Sequence, residues 1–216
     1  QLVATLKSLE ADPKVRAVVL MGQGKNFCAG ADIAYMRKVA GFTKEQNRTA
    51  AREQARVYHT VYALKKPTIA RVHGAVRGGG VGLVAACDIA IGSRDTTFRL
   101  SEVRLGILPA MISPYVVAAM GERHARRYFL SGERFDAQEA GRIGLVHQVV
   151  TEEALDKTVS GLVEALTLGG PHAQAAGKRL IAKVHHQPVE DPLVEALASL
   201  IAKMRASEEG REGVAA

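Results

Sequence analysis

Residues 1 to 11 carry Leu2, Leu6 and Leu9 on one side of a helical period, which predicts a helix that Asp12-Pro13 stops. The unbroken apolar run Val15 to Met21 predicts a buried strand, ended by Gly22-Gln23-Gly24-Lys25. A helix containing Ile33, Met36 and Arg37 follows a patch of small residues around Gly30. A longer one runs from Lys44 to Leu64 and ends at Lys65-Lys66-Pro67. Ile69 to Val76 is β-rich and leads through Gly78-Gly79-Gly80 into a short helix and a strand beginning near Asp88. Phe98 to Leu100 is a further short strand, and Gly106 to Pro114 reads as a loop stiffened by Pro109 and Pro114. Helices are predicted at Tyr115 to Met120, at Arg123 to Leu130 and from Asp136, which with Glu139 has the spacing of a capping box. Gly144 ends that helix, Leu145 to Val150 is a strand, and Thr151 caps the next helix. The remainder is helical, with breaks at Pro171, Pro188 and Pro192. Strands and helices alternate over the first two-thirds and helices alone follow, so the class is α/β with an α-helical C-terminal region.

The three consecutive glycines remove every Cβ where strand passes into helix. There the backbone can take unusual dihedrals and a ligand can touch the main chain. The N–H groups at a helix start have no intrahelical partner, and the helix dipole is positive there, so the stretch offers donors to negative charge. A tight turn that merely lets helix and strand pack is the competing reading. Phe27-Cys28-Ala29-Gly30-Ala31-Asp32-Ile33 is a second place where open backbone meets a helix start. Gly22-Gln23-Gly24 is not a dinucleotide fingerprint, because Phe27 stands where the third glycine should be.

The 216 residues suit one large domain or one with an appendage, and 47% hydrophobic content is enough for a sizeable core. No apolar run approaches the roughly 20 residues that span a bilayer, which argues against a membrane partner. Cys28 and Cys87 make no disulfide framework and lack metal-ligand spacing, so no metal is expected and a reducing cytoplasm is. His59 likewise has no partner at metal spacing. The net charge of +7 suits an anionic partner. Nucleic acid is disfavoured, since there is no Trp and the basic residues do not alternate with aromatics. Arg123, His124, Arg126 and Arg127 form the densest basic cluster, read as a solvated helix face; a phosphate-bearing small ligand also suits this charge.

Three blocks resemble the crotonase, or enoyl-CoA hydratase/isomerase, superfamily. They are Gly24-Lys25-Asn26-Phe27-Cys28-Ala29-Gly30-Ala31-Asp32-Ile33, then Val72-His73-Gly74-Ala75 through Gly78-Gly79-Gly80 to Ala86-Cys87-Asp88-Ile89-Ala90, then Ser101-Glu102-Val103 through Gly106 to Pro109. Weaker agreement continues through Glu139-Ala140-Gly141-Arg142-Ile143-Gly144-Leu145-Val146. The resemblance implies a spiral of ββα units over residues 1–150 and a helical trimerisation region over 151–216, as a homotrimer or a hexamer built from two trimers. Against the family pattern, a strand-rich segment is expected upstream of Gln1, and a final helix is expected to run on from Ser207-Glu208-Glu209-Gly210-Arg211-Glu212-Gly213.

The ligand it implies is a coenzyme A thioester, with coenzyme A part of the substrate and no separate cofactor. Hydrating or isomerising an unsaturated thioester passes through an enolate, and two preorganised N–H donors at its oxygen are worth about 3 to 4 kcal/mol each. By resemblance the donors are the N–H groups of Ala31 and Gly79, and bulk at Gly79 is expected to abolish turnover while the protein still folds. Glu102 matches the general acid/base, and a carboxyl beside an apolar acyl pocket should have a raised pKa. Ala29, Asp32, Ile33 and Pro109 complete the implied substrate contacts.

Typical hydratases carry a second glutamate two residues after the triple glycine, where this chain has Gly82. A single carboxylate also serves isomerases, which shuttle one proton between C2 and C4. The stretch Ser101 to Tyr115 instead resembles 3-methylglutaconyl-CoA and isohexenylglutaconyl-CoA hydratases, whose substrates carry a second carboxylate. Arg77 is a candidate partner for that carboxylate, for a surface acid or for a CoA phosphate, and Ser113 either holds the water or caps the following helix. The leading expectation is hydration of a branched or carboxylated enoyl-CoA. Isomerisation comes next, and a non-catalytic or RNA-binding use of the fold is the alternative of another class.

Overall fold

The structure is a computed structural model that describes residues 1–215. Helix α1 (Leu2–Ala11) precedes strand β1 (Val18–Met21), and α2 (Ile33–Ala40) is followed by α3 (Lys44–Ala63). A reciprocal capping box between Thr43 and Gln46 starts α3. Then come β2 (Thr68–Val72), β3 (Ala75–Arg77), α4 (Gly79–Ala86), β4 (Ile89–Ser93) and β5 (Thr97–Arg99). Two 3₁₀ turns, Glu102–Leu105 and Ala110–Ile112, lead into α5 (Ser113–Ser131). Strand β6 (Arg134–Asp136), α6 (Ala137–Arg142) and β7 (Gln148–Val150) precede the closing helices α7 (Glu152–Thr167), α8 (Pro171–Val184), α9 (Asp191–Ala206) and α10 (Glu208–Ala215).

From β2 to β5 successive strands alternate between two sheets, which produces the ββα spiral. One sheet is all parallel, in the order β1-β2-β4-β7, and the other runs β3-β5-β6, with β3–β5 parallel and β5–β6 antiparallel. The continuous strand expected over Ile69 to Val76 is therefore two. Gly74 turns the chain at φ +60°, and a Cβ there would stand 2.1 Å from the Lys25 carbonyl. His73, at the same corner, donates from Nε2 to the Gly24 carbonyl at 2.9 Å. Its Nδ1 is then the acceptor for Arg71 at 3.1 Å, so both ring nitrogens are taken up by the fold.

The parallel sheet is buried on both faces. Ala70 and Val72 point into the main core with Val76, Val81, Phe98, Leu100, Val116 and Tyr128. On the opposite face Ile69 and Ile91 pack against Leu155 and Val159 of α7. Arg71, on that same face, bonds Asp156 at 2.5 Å and reaches Glu152. Helix α7 is thus packed onto the strands, although the sequence pattern groups it with the helical C-terminal region.

Other boundaries move for local reasons. The strands expected from Val15 and Leu145 begin at Val18 and Gln148, where pairing with β2 and β4 begins. The expected break between Met120 and Arg123 is a kink at Gly121, with φ 75° and ψ 159°, inside α5. Asp136 caps α6 by accepting from Glu139 N, but the Glu139 carboxylate goes to Tyr128 and Arg142, so the capping box is only half formed. Strand β6 was not foreseen. Among the described residues no helix is long and apolar enough to cross a membrane, and Cys28 and Cys87 are both free thiols.

Candidate active site

Two backbone segments meet at the start of α4. The chain before α2 runs beside β3: Cys28 N–H donates to Ala75 O at 3.0 Å and Arg77 N–H to Cys28 O at 2.9 Å. The next residues, Ala29, Gly30 and Ala31, are exposed. Gly78 caps α4 at φ 49°, with its own N–H on Arg99 O, and Val81 N–H closes the first turn onto Gly78 O. Among the described residues neither the Ala31 nor the Gly79 N–H donates a hydrogen bond. Asp32 does not reach toward this opening; its carboxylate accepts from Tyr35 N at 2.7 Å and caps α2. Ile33 beside it is 70% exposed, a large apolar side chain at the rim.

Glu102 opens the 3₁₀ turn after β5. Its Oε1 lies 3.2 Å from where a Cβ of Gly78 would stand, so the missing Cβ makes room for the carboxyl. Its Oε2 is buried and has no hydrogen-bond partner. Burial pushes the carboxyl above its ordinary pKa, against a smaller opposing pull from its own backbone N–H. A half-buried acid with an unpartnered oxygen beside unpaired N–H groups is a candidate for proton transfer to a ligand.

The face of α4 is closed by side chains that sequence reasoning did not single out. A Cβ on Gly82 would stand 2.1 Å from Ile112 Cγ2 and 3.2 Å from Tyr58 Cε1. A Cβ on Gly79 would stand 2.4 Å from the Tyr58 hydroxyl, which accepts from Gln54 Nε2 at 3.2 Å. Tyr58 hides within an amphipathic helix, where an aromatic reads as core. Gln54 and Tyr58 four residues apart, with Tyr62 four further on, were the available signal.

The remaining expected contacts are committed elsewhere. Arg77 gives its guanidinium to the Thr97 carbonyl at 2.7 Å and hydroxyl at 3.0 Å, and burial together with Arg134 and Arg99 depresses its pKa. That geometry ties its Nη1 and Nη2 to β5. Ser113 donates to Ala110 O at 2.8 Å and makes no cap bond to the helix it begins. Pro109 is buried under the same loop. No group of three or more His, Cys, Asp or Glu capable of holding a metal occurs among the described residues.

The profile of the enoyl-CoA hydratase/isomerase family matches residues 1–216. The chain belongs to that family. A putative enoyl-CoA hydratase of Thermus thermophilus is 35% identical over 216 residues, covering all of this chain and 85% of its own. A peroxisomal Delta(3,5)-Delta(2,4)-dienoyl-CoA isomerase of Arabidopsis thaliana is 30% identical over 98% of this chain and 80% of its own. The crystal structure of a putative enoyl-CoA hydratase/isomerase (crotonase) from Legionella pneumophila superposes with TM-score 0.93 at 42% identity, over 99% of this chain and 82% of that one. The crotonase fold and the enzymatic character of the hydratase/isomerase family are therefore those of this chain. Its departure at Gly82 is built into the packing, since Ile112 and Tyr58 occupy the space a side chain there would need.

Proposed function

We propose that the protein is an enoyl-CoA hydratase, acting on a branched or carboxylated acyl group of the methylglutaconyl type, with Glu102 as its catalytic carboxylate. The observation that carries the reading is the buried, unpartnered Oε2 of the half-buried Glu102 beside the open N–H groups at the start of α4. The thioester oxygen takes hydrogen bonds from the Ala31 and Gly79 amides. Glu102 as carboxylate removes a proton from water while the water oxygen bonds to C3, the C2–C3 π pair shifts to C1–C2, and the carbonyl π pair moves onto the thioester oxygen. The enolate then takes the proton back from Glu102 at C2, forming the C2–H bond and restoring the carboxylate. The amides stabilise charge only where it develops, so they lower the barrier rather than merely bind substrate.

Isomerisation is the second reading, favoured by the same count of one carboxylate, because moving a double bond needs one base and no water. A panel of crotonyl-CoA, methylglutaconyl-CoA and a 3-enoyl-CoA separates the two. Hydration of the first two to 3-hydroxyacyl-CoA products is expected, with methylglutaconyl-CoA preferred. Conversion of the 3-enoyl-CoA to its 2-enoyl isomer without net water uptake by any substrate would replace hydratase by isomerase. A buried acid kept without a partner has no use in an RNA-binding role, which speaks against that alternative. The family resemblance further supports assembly as a homotrimer or as two stacked trimers.

A further inference from the structure

Water that attacks C3 must be held by more than the base that deprotonates it. Orientation of the reacting oxygen is itself a large part of the barrier. Glu102 supplies one contact, and α4 cannot supply another, since Ile112 blocks any side chain at position 82.

Helix α3, packed across α4 and the Ala110–Ile112 turn, brings a polar atom to the same place. Side chains of a helix lean toward its N-terminus, so a group rooted at 82 would reach back toward Gly79. Tyr58 arrives there from outside: its ring edge lies over Gly82 and its hydroxyl over Gly79. The ring is only 4% exposed, which fixes its direction. Gln54 donates to the phenol oxygen at 3.2 Å, and among the described residues the phenol proton is given to no acceptor. Burial raises the phenol pKa above its ordinary value, against a smaller pull down from the Gln54 hydrogen bond and with still smaller upward pushes from Cys28 and Glu102, so the hydroxyl stays protonated and can donate.

We propose that the Tyr58 hydroxyl, aimed by Gln54, is a catalytic contact to the attacking water: it donates a hydrogen bond to the water oxygen while Glu102 takes the water's proton. Tyr58 neither gains nor loses a proton over the cycle, so the balance of bonds is that already written for Glu102. The assignment rests on the hydratase reading, and it makes the one-carboxylate site a site for water addition rather than for double-bond movement alone.

The test compares Tyr58→Phe with the wild-type enzyme in two reactions that both need the enolate, of which only one needs the water. One is hydration of crotonyl-CoA or methylglutaconyl-CoA. The other is exchange of the C2 protons of butyryl-CoA in D2O. Tyr58→Phe keeps the buried ring, so its fold should hold. The expected result is a fall of at least about tenfold in kcat for hydration, with KM within about twofold and C2 exchange unchanged. Gln54→Leu, on an exposed position, should lower hydration in the same direction. Unchanged hydration in Tyr58→Phe, or an equal fall in hydration and exchange, would overturn the assignment. A wild-type enzyme that exchanges C2 protons but hydrates nothing would overturn both this assignment and the hydratase reading. One that hydrates while Tyr58→Phe hydrates equally well would overturn this assignment alone.

Discussion

At Glu102 the proposed proton-transfer group works against the stability of the fold that holds it. Its folded pKa is raised by burial, so the folded state favours the protonated form. The contribution of such a group to stability is most favourable below the unfolded carboxyl pKa of about 4.3, and declines as pH rises toward the folded value. Glu102→Gln should therefore melt at a higher temperature than wild type at pH 7 to 8, the difference vanishing as pH falls below about 4. Thermal unfolding followed by circular dichroism at several pH values reads this directly; a Gln variant less stable than wild type at pH 8 would mean the carboxylate has a partner when ionised. Bulk at Gly79 is a less simple probe than the sequence suggests. A Cβ at 2.4 Å from the Tyr58 hydroxyl displaces a buried ring, so Gly79→Val should lose stability along with turnover, and an activity assay needs a melting curve beside it.

The contact between α3, α4 and the Ala110–Ile112 turn makes position 82 a glycine. Gly→Ala within a helix normally gains about 1 kcal/mol of propensity. Here the new Cβ meets Ile112 Cγ2 at 2.1 Å, and overpacking of that kind costs about 1–3 kcal/mol. The second effect wins, so Gly82→Ala should destabilise in urea unfolding, and its cost should shrink in an Ile112→Ala background. Equal costs in both backgrounds would show that the two residues do not share the space. This element also shows what the sequence made legible. The glycine run, Glu102 and the alternation of strand and helix are local signals, and they pointed to the candidate site and to the class. Gly74's turn out of one sheet into the other is set by a tertiary contact with Lys25, and β6 is three residues with charged ends, Arg134-Phe135-Asp136. Neither leaves a periodic trace. Arg77 and Ser113 looked free for substrate because their partners, Thr97 and Ala110, are fixed only by the fold.

Over the whole molecule, large apolar side chains remain outside the core around the site and beyond it. Val103 and Leu105 lie on the turn that begins with Glu102, and Leu130, 69% exposed, lies in the last turn of α5, with Val103 Cγ1 packed close to Gly132 just beyond it. Such a patch suits the contact between copies that the proposed trimer requires. Leu130→Glu should reduce the particle mass in light scattering from a trimer or hexamer to a monomer, whereas an unchanged mass would place the contact elsewhere. The most direct test of the account is deuterium uptake at C2 of butyryl-CoA in D2O by wild type and Glu102→Gln, because it reads enolate formation alone. The account predicts uptake by wild type and a loss of at least about a hundredfold in the variant; uptake at the same rate in both would contradict it.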